Sequence, residues 1–161
     1  LNIRLGQGYD IHRLVEGRAL YLGGVEIPYP SGLLGHSDGD CLIHALIDAL
    51  LGALGETDIG RLFPDTDPRF KDIRSTELLL RVMEMTAARG GRIINADGVI
   101  LAERPRLADH ISEMKHTLCP LLGIEPARLG IKAKTHEGMG EVGHGEAIAA
   151  LAVVLIELTA V

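Results

Sequence analysis

The stretch HSDGDCLIHALIDALLGAL, residues 36–54, decides how the chain can fold. Ser37 or Asp38 offers an N-cap, and the spacing predicts a helix running to about Leu54. Leu42, Ile43, Leu46, Ile47, Leu50, Leu51 and Leu54 lie on most sides of that helix, the pattern of an element buried between others. Asp40, His44 and Asp48, spaced four residues apart, form one polar stripe through this apolar wall. Burying such groups costs roughly several kcal/mol unless each is paired or bound to a metal. Two readings of the stripe are therefore open, a satisfied internal network and a ligand site.

Upstream, residues 2–12 alternate, with Ile3, Leu5, Tyr9 and Ile11 on one face and Asn2, Arg4, Gly6, Gly8, Asp10 and His12 on the other, which reads as a strand with a polar working face. Residues 19–27 (ALYLGGVEI) read as a second strand broken by Gly23-Gly24, and the Pro- and Gly-rich 28–35 as a loop. Downstream, 63–68 reads as loop or turn, 75–89 as a helix with Gly90-Gly91 beyond its end, 92–102 as a strand, 107–122 as a third helix and 129–135 as another strand. Residues 146–158 are ambiguous: their alanines favour helix, whereas Val153 to Ile156 favour a buried strand. The order is that of an α+β or α/β domain.

The 161 residues suit one domain, 1–161. With 47% apolar and 24% charged residues the chain is neither disordered nor a coiled coil. A formal charge of -6, from 16 basic against 22 acidic residues, opposes binding to a nucleic-acid backbone. With 3% aromatic residues, stacking platforms for bases are also excluded. An anionic ligand would need metal ions or local cations. The longest apolar run, 147–156, is shorter than the about 20 residues of a membrane span, and the N-terminal Leu1-Asn2-Ile3-Arg4 shows no secretory pattern. A soluble, cytoplasmic protein is the expectation, with Cys41 and Cys119 as buried free thiols.

Asp10 and His12, two apart on a strand, point to the same side of the pleat, as either a hydrogen-bonded pair or two arms of a chelate. The sharper reading joins them to His44. Two His and one Asp with an open fourth position form the ligand set of a catalytic zinc, with Cys41 the only nearby competitor. Asp58 and the carboxylates of 63–67 form either a solvated acidic loop or a site suited to hydroxyl recognition. Lys132, Lys134, Thr135 and Glu137, where a strand enters a Gly-rich turn, suit a phosphate and a hard divalent cation. The GxGxxG at 138–143 is expected to be an accidental match to the dinucleotide fingerprint, since the 18 residues given after Gly143 are too few for the required βαβ unit.

The segments GYDIHRL (8–14), GLLGHSDGDCLIHALIDALLGA (32–53), DIGRLFPDTDP (58–68), AERPRL (102–107) and KAKTHEGMG (132–140) are collinear over the whole chain. Together they resemble the 2-C-methyl-D-erythritol 2,4-cyclodiphosphate synthases of the non-mevalonate isoprenoid pathway. That resemblance implies a fold and assembly: an α/β sandwich with a mixed sheet of about four main strands, helices on one face, and a homotrimer with active sites between subunits. It also implies a phosphorus–oxygen lyase reaction on a cytidine diphosphate substrate, in which the 2-phosphate attacks the β-phosphorus, closes a cyclic diphosphate and releases CMP. By position, Asp10, His12 and His44 hold zinc, and Glu137 holds a second cation, Mg²⁺ or Mn²⁺. His36 and Ser37 position the 2-phosphate, and Asp10, Ile11 and His12 also bind substrate. Asp58, Ile59 and Gly60, with the loop Phe63, Pro64, Asp65, Thr66 and Asp67, surround the sugar alcohol. Ala102, Glu103, Arg104, Pro105, Arg106, Leu107 and Ala108 accept the cytosine. Lys134, Thr135, His136 and Glu137 lie at the diphosphate, with His36 and Thr135 implied as catalytic. Many members are described as gripping an isoprenoid diphosphate on the threefold axis with an arginine and an aromatic residue. Here those places are His144 and Glu141, and a histidine, unlike arginine, is not charged at every pH. A zinc phosphohydrolase and a non-enzymatic isoprenoid diphosphate binder are the alternatives.

Overall fold

The computed structural model describes residues 2–159; Leu1, Ala160 and Val161, the ends of the expected domain, lie outside the described residues. Four strands come first: β1 (Asn2–Glu16), β2 (Leu20–Leu22), β3 (Val25–Ile27) and β4 (Ser31–Leu33). Helix α1 (Cys41–Leu54), the short α2 (Ile59–Leu62) and α3 (Ser75–Ala88) follow. Strand β5 (Gly91–Leu101), α4 (Ile111–Leu122), β6 (Leu129–Lys134), the short α5 (Gly140–Gly143) and β7 (Ala147–Leu158) complete the order. Among the described residues no helix is long and apolar enough to cross a membrane.

The sheet has five strands in the order β4-β1-β7-β5-β6, one more than expected, and is mixed: β5 and β6 run parallel, the other pairs antiparallel. The additional strand is β4, inside the stretch read as a loop, where Ser31–Leu33 pairs with Leu14–Glu16 at the sheet edge. Residues 20–27 are not one broken strand. Gly23 and Gly24, at φ +59° and +79°, turn the chain back on itself, so β2 and β3 make a separate two-stranded ribbon. The ambiguous C-terminal segment is a strand, held in register on both sides by β1 and β5. The helix expected over 107–122 begins with a 3₁₀ turn, Ala108–His110, before α4.

Helix α1 packs across β1 and β7 on one side and against α3 on the other, which explains its all-round apolar character. Its N-cap is Asp40 rather than Ser37 or Asp38. The Asp40 side chain accepts from the Ile43 N–H at 3.1 Å and also from the Gly23 and Gly24 N–H groups at 3.0 and 2.7 Å, tying the ribbon to the helix start. On the sheet side, contact is made backbone to backbone. A Cβ at Gly6 would stand 1.8 Å from the Ala49 carbonyl oxygen, and one at Gly8 2.0 Å from that of Ala45. The Gly and polar face of β1 therefore meets the helix, while Ile3, Leu5, Tyr9 and Ile11 lie exposed on the other face.

Candidate metal centre

Close packing of β1 on α1 brings Asp10 and His12 against His44. Asp10 Oδ2 lies 2.8 Å from His12 Nε2 and 2.9 Å from His44 Nδ1, and the two ring nitrogens are 3.2 Å apart. Donors around a tetrahedral ion with bonds of about 2.0 Å stand about 3.3 Å from one another, so these three atoms fit one face of such a shell. His12 Nδ1 is 2.6 Å from the Leu34 carbonyl oxygen, which can only accept; Nδ1 therefore carries a proton, and neutral His12 offers Nε2 as a lone pair. The donor set is suited to a divalent metal cation.

Electrostatics agree. Burial alone would raise the Asp10 carboxyl, but the His12 and His44 imidazoles beside it hold it well below the usual carboxylate range. Burial likewise disfavours a charged His12, yet the Asp10 carboxylate and the Leu34 carbonyl outweigh it and raise its pKa above the ordinary 6.5. In the polar stripe of α1 the two readings divide by residue. Asp40 caps the helix, and Asp48 accepts the Ile59 N–H at 2.7 Å, fixing the start of α2, so both belong to an internal network and only His44 joins the cluster. Cys41 is fully buried outside the cluster, and burial pushes its thiol well up.

These groups stand in a cavity of about 440 Å³ also lined by His36, Ser37, Ile59, Gly60, Phe63 and Asp65. Phe70 and Leu78 complete its wall and carried no signal in the sequence. His36 Nε2 donates to the Asp67 carbonyl at 3.0 Å, linking the loop before α1 to the loop after α2. Asp58 turns to the N-terminus of α2, where it accepts from the Arg61 N–H at 2.9 Å, and lines a different cleft beside Asp48. The Asp67 carboxylate is taken by Arg69. Neither Pro64 nor Thr66 lines the metal cavity, and Ile11 points to the open face of the sheet.

A second cavity, about 290 Å³, is lined by Ala102, Glu103, Pro105, Arg106, Leu107 and Ala108 with Ala133, Lys134 and Thr135, and shares no residue with the first. Arg104, His136 and Glu137 lie outside its wall. Thr135 Oγ1 donates to Glu137 Oε1 at 3.1 Å, and Glu137 sits at φ +51° in the exposed turn after β6. Glu141 and His144 are exposed in and just after α5.

Three residues that sequence reasoning missed brace the metal cavity. Arg18 donates to the carbonyls of Ser37 and Gly35, holding the loop that bears His36. Ser75 and Asp38 back His44: His44 Nε2 lies 2.8 Å from Ser75 Oγ, and Ser75 in turn donates to Asp38. They are 37 residues apart, a pairing no local pattern reveals.

The profile of the YgbB family matches residues 3–157. The chain is 55% identical over 154 residues to the 2-C-methyl-D-erythritol 2,4-cyclodiphosphate synthase of Geobacillus kaustophilus, covering 96% of this chain and 98% of that one. A solved structure of a synthase of that name in a CDP-bound form is similar with a TM-score of 0.89 and 45% identity, over 96% of this chain and all (100%) of the other. The bifunctional IspDF of Campylobacter jejuni gives a TM-score of 0.93 at 40% identity over 98% of this chain, which covers 43% of that larger protein.

Proposed function

The chain belongs to the YgbB family, that of the 2-C-methyl-D-erythritol 2,4-cyclodiphosphate synthases, and on that premise we propose that it converts 4-diphosphocytidyl-2-C-methyl-D-erythritol 2-phosphate to the 2,4-cyclodiphosphate and CMP. An oxygen of the 2-phosphate forms the new bond to the β-phosphorus. The bond from that phosphorus to the CMP oxygen breaks, and CMP leaves with the electron pair. The reaction is a phosphorus–oxygen lyase step supporting isoprenoid precursor synthesis, and one domain carries it. Because the nucleophile belongs to the substrate, no serine or cysteine nucleophile is required, in keeping with two buried thiols.

The observation that carries this reading is the convergence of Asp10, His12 and His44 in a cavity shared with His36, Ser37, Ile59, Gly60, Phe63 and Asp65. Phosphoryl transfer depends chiefly on alignment and charge neutralisation. His36 and Ser37 orient the 2-phosphate, and the 59–65 segment packs the methylerythritol. Asp10, His12 and His44 would hold zinc, which would supply positive charge for phosphate oxygens in a protein of net charge -6. The exposed carboxylate of Glu137 would hold a second cation, Mg²⁺ or Mn²⁺, which would neutralise charge on the substrate diphosphate. Lys134 and Thr135 face the diphosphate from the second cavity, where the 102–108 backbone receives cytosine. One substrate must reach both cavities, which have no residue in common, and β1 leaves an apolar face uncovered. Both features support a homotrimer in which neighbouring subunits each supply half of a site.

Incubation of the purified chain with the cytidine substrate and divalent metal tests the proposal. Phosphorus NMR is expected to show the cyclic diphosphate and CMP in equal amounts. Inorganic phosphate as the product would make it a phosphohydrolase, and binding without turnover would make it a carrier.

A further inference from the structure

We infer that Asp38, acting through the Ser75 hydroxyl, fixes the proton of His44 on Nε2 and so keeps Nδ1 free to bind the cation; this rests on the metal reading of the Asp10, His12 and His44 cluster. The hydrogens around His44 lie in a dry place. Ser75 is fully buried and Asp38 is 7% exposed, so no bulk water can supply or remove a proton partner.

Asp38 collects four donors. Its Oδ2 accepts from the Ser75 N–H at 3.0 Å and from Arg74 Nε at 3.1 Å; its Oδ1 accepts from the Asp40 N–H at 3.2 Å and from the Ser75 hydroxyl. The Ser75 hydroxyl has a single hydrogen, and Asp38 takes it. What Ser75 Oγ presents to His44 Nε2, 2.8 Å away, is therefore a lone pair, and Nε2 must be the donor. Ser37 Oγ, 3.1 Å from the same nitrogen, is a second acceptor for that hydrogen. Nδ1, 2.9 Å from Asp10 Oδ2 and 3.2 Å from His12 Nε2, is then the nitrogen that offers its lone pair to a cation bound among the three.

The two histidines turn a lone pair to the cluster as opposite tautomers, Nδ1–H in His12 and Nε2–H in His44, and by different means. His12 is set by a carbonyl oxygen, which can only accept. The partners of His44 are hydroxyls, which either donate or accept, and a hydroxyl that donated to Nε2 would move the imidazole proton to Nδ1, where it blocks the cation. Asp38 removes that ambiguity. Arg74 holds Asp38 in turn, with its guanidinium 3.8 Å above the Tyr21 ring and bonded to the Gly24 carbonyl at 3.1 Å, which anchors the chain to the β2–β3 ribbon. Asp38 and Ser75 are thus positioning residues, and changes to groups of this kind weaken metal binding by about 10- to 100-fold.

The test uses the full chain, zinc as the probe, chelator competition for affinity, and long-range ¹H–¹⁵N spectra of the histidines for tautomer. The wild type, with and without zinc, is expected to show His44 protonated at Nε2. Ser75→Ala is expected to keep its circular dichroism and a cooperative, somewhat lowered melting transition in EDTA, since a buried hydroxyl is lost, and to lose about 10- to 100-fold in zinc affinity. Adding Asp38→Asn to Ser75→Ala should weaken zinc no further, because Asp38 acts through the hydroxyl. A wild-type His44 lacking the Nε2 proton, unchanged zinc affinity in folded Ser75→Ala, or an undiminished Asp38→Asn effect in the Ser75→Ala background would each overturn the inference. Should Asp38→Asn not fold, the tautomer and the Ser75→Ala affinity still decide it. A wild type that binds no zinc overturns instead the metal reading beneath it.

Discussion

The two faces of strand β1 have exchanged the roles their chemistry suggests. Its apolar residues Ile3, Leu5, Tyr9 and Ile11 are 42, 64, 53 and 43% exposed, whereas the face of Gly6, Gly8, Asp10 and His12 lies against α1. Ordinarily an alternating strand turns its apolar side to the core. Here Gly6 and Gly8 let the helix backbone descend onto the strand, closer than any side chain permits, and that approach carries His44 to Asp10 and His12. Across the sheet, β7 supports the arrangement with Ala150 opposite Asp10 and Ala152 opposite Gly8, small residues that leave the helix room. The candidate metal cluster thus depends on the face without bulk, and the bulky face stays exposed.

The most damaging way to break this contrast is Gly8→Val. Its Cβ would overlap the Ala45 carbonyl, a backbone atom in the middle of α1 that cannot move aside. A loss of more than about 3 kcal/mol is expected, read as a lowered urea midpoint or no cooperative transition. Tolerance of valine would mean that the helix does not need its close seat. His44→Ala comes next and separates site from scaffold: the helix retains Leu42, Ile43, Leu46, Ile47, Leu50 and Leu51, each at most 1% exposed, so the fold should persist. Zinc affinity should fall at least about 100-fold, since a protein ligand is lost outright. Elemental analysis showing full zinc in the variant would reject the ligand assignment.

Where periodicity and turn chemistry are local, the sequence was legible: α3, β5 and β6 lie within a residue of their expected bounds, and α1 ends at Leu54 as expected although it begins two or three residues later. The metal cluster was also legible, because Asp10-x-His12 fixes a shared strand face and His44 interrupts an apolar helix. Failures came where tertiary contact decides. Strand β4 exists because β1 offers it an edge, not because of its own three residues. Asp40 caps α1 in place of Ser37 or Asp38 because Ser37 and Asp38 are occupied by His44 and Ser75. Arg18 and Ser75 act on the site over separations that leave no local pattern, and the side of β1 that would be buried could not be read from alternation alone.

A gentler variant probes the opposite face. Leu5→Glu places a charge on a side chain already 64% exposed, so stability of the single chain should change by no more than about 0.5 kcal/mol. If subunits meet through this face, the buried charge lowers association sharply, and light scattering should report a smaller mass than for the wild type at equal concentration. An unchanged mass would place the interface elsewhere.

The smallest effect is one of pH, and the two faces should answer differently. His12 has its pKa raised above 6.5, so its contribution to metal-free stability is fully present below 6.5 and is lost as pH rises through the higher folded value. Asp10, lowered from 3.8, contributes above 3.8 and loses that contribution only in stronger acid. Metal-free protein should therefore lose the His12 increment on going from slightly acid to alkaline solution. Zinc follows the opposite course. The proton that stabilises His12 occupies the Nε2 lone pair the cation needs, so apparent affinity should rise by up to about tenfold per pH unit across the window above 6.5, then level off once His12 is neutral. Association through the face of Ile3, Leu5, Ile11 and Val153 would rest on apolar side chains and should stay flat over the same range. Zinc titrations and sedimentation run in parallel would test the difference. A zinc affinity independent of pH would show that a proton does not compete at His12, and an assembly that follows the zinc curve would show that the two faces are coupled through β1.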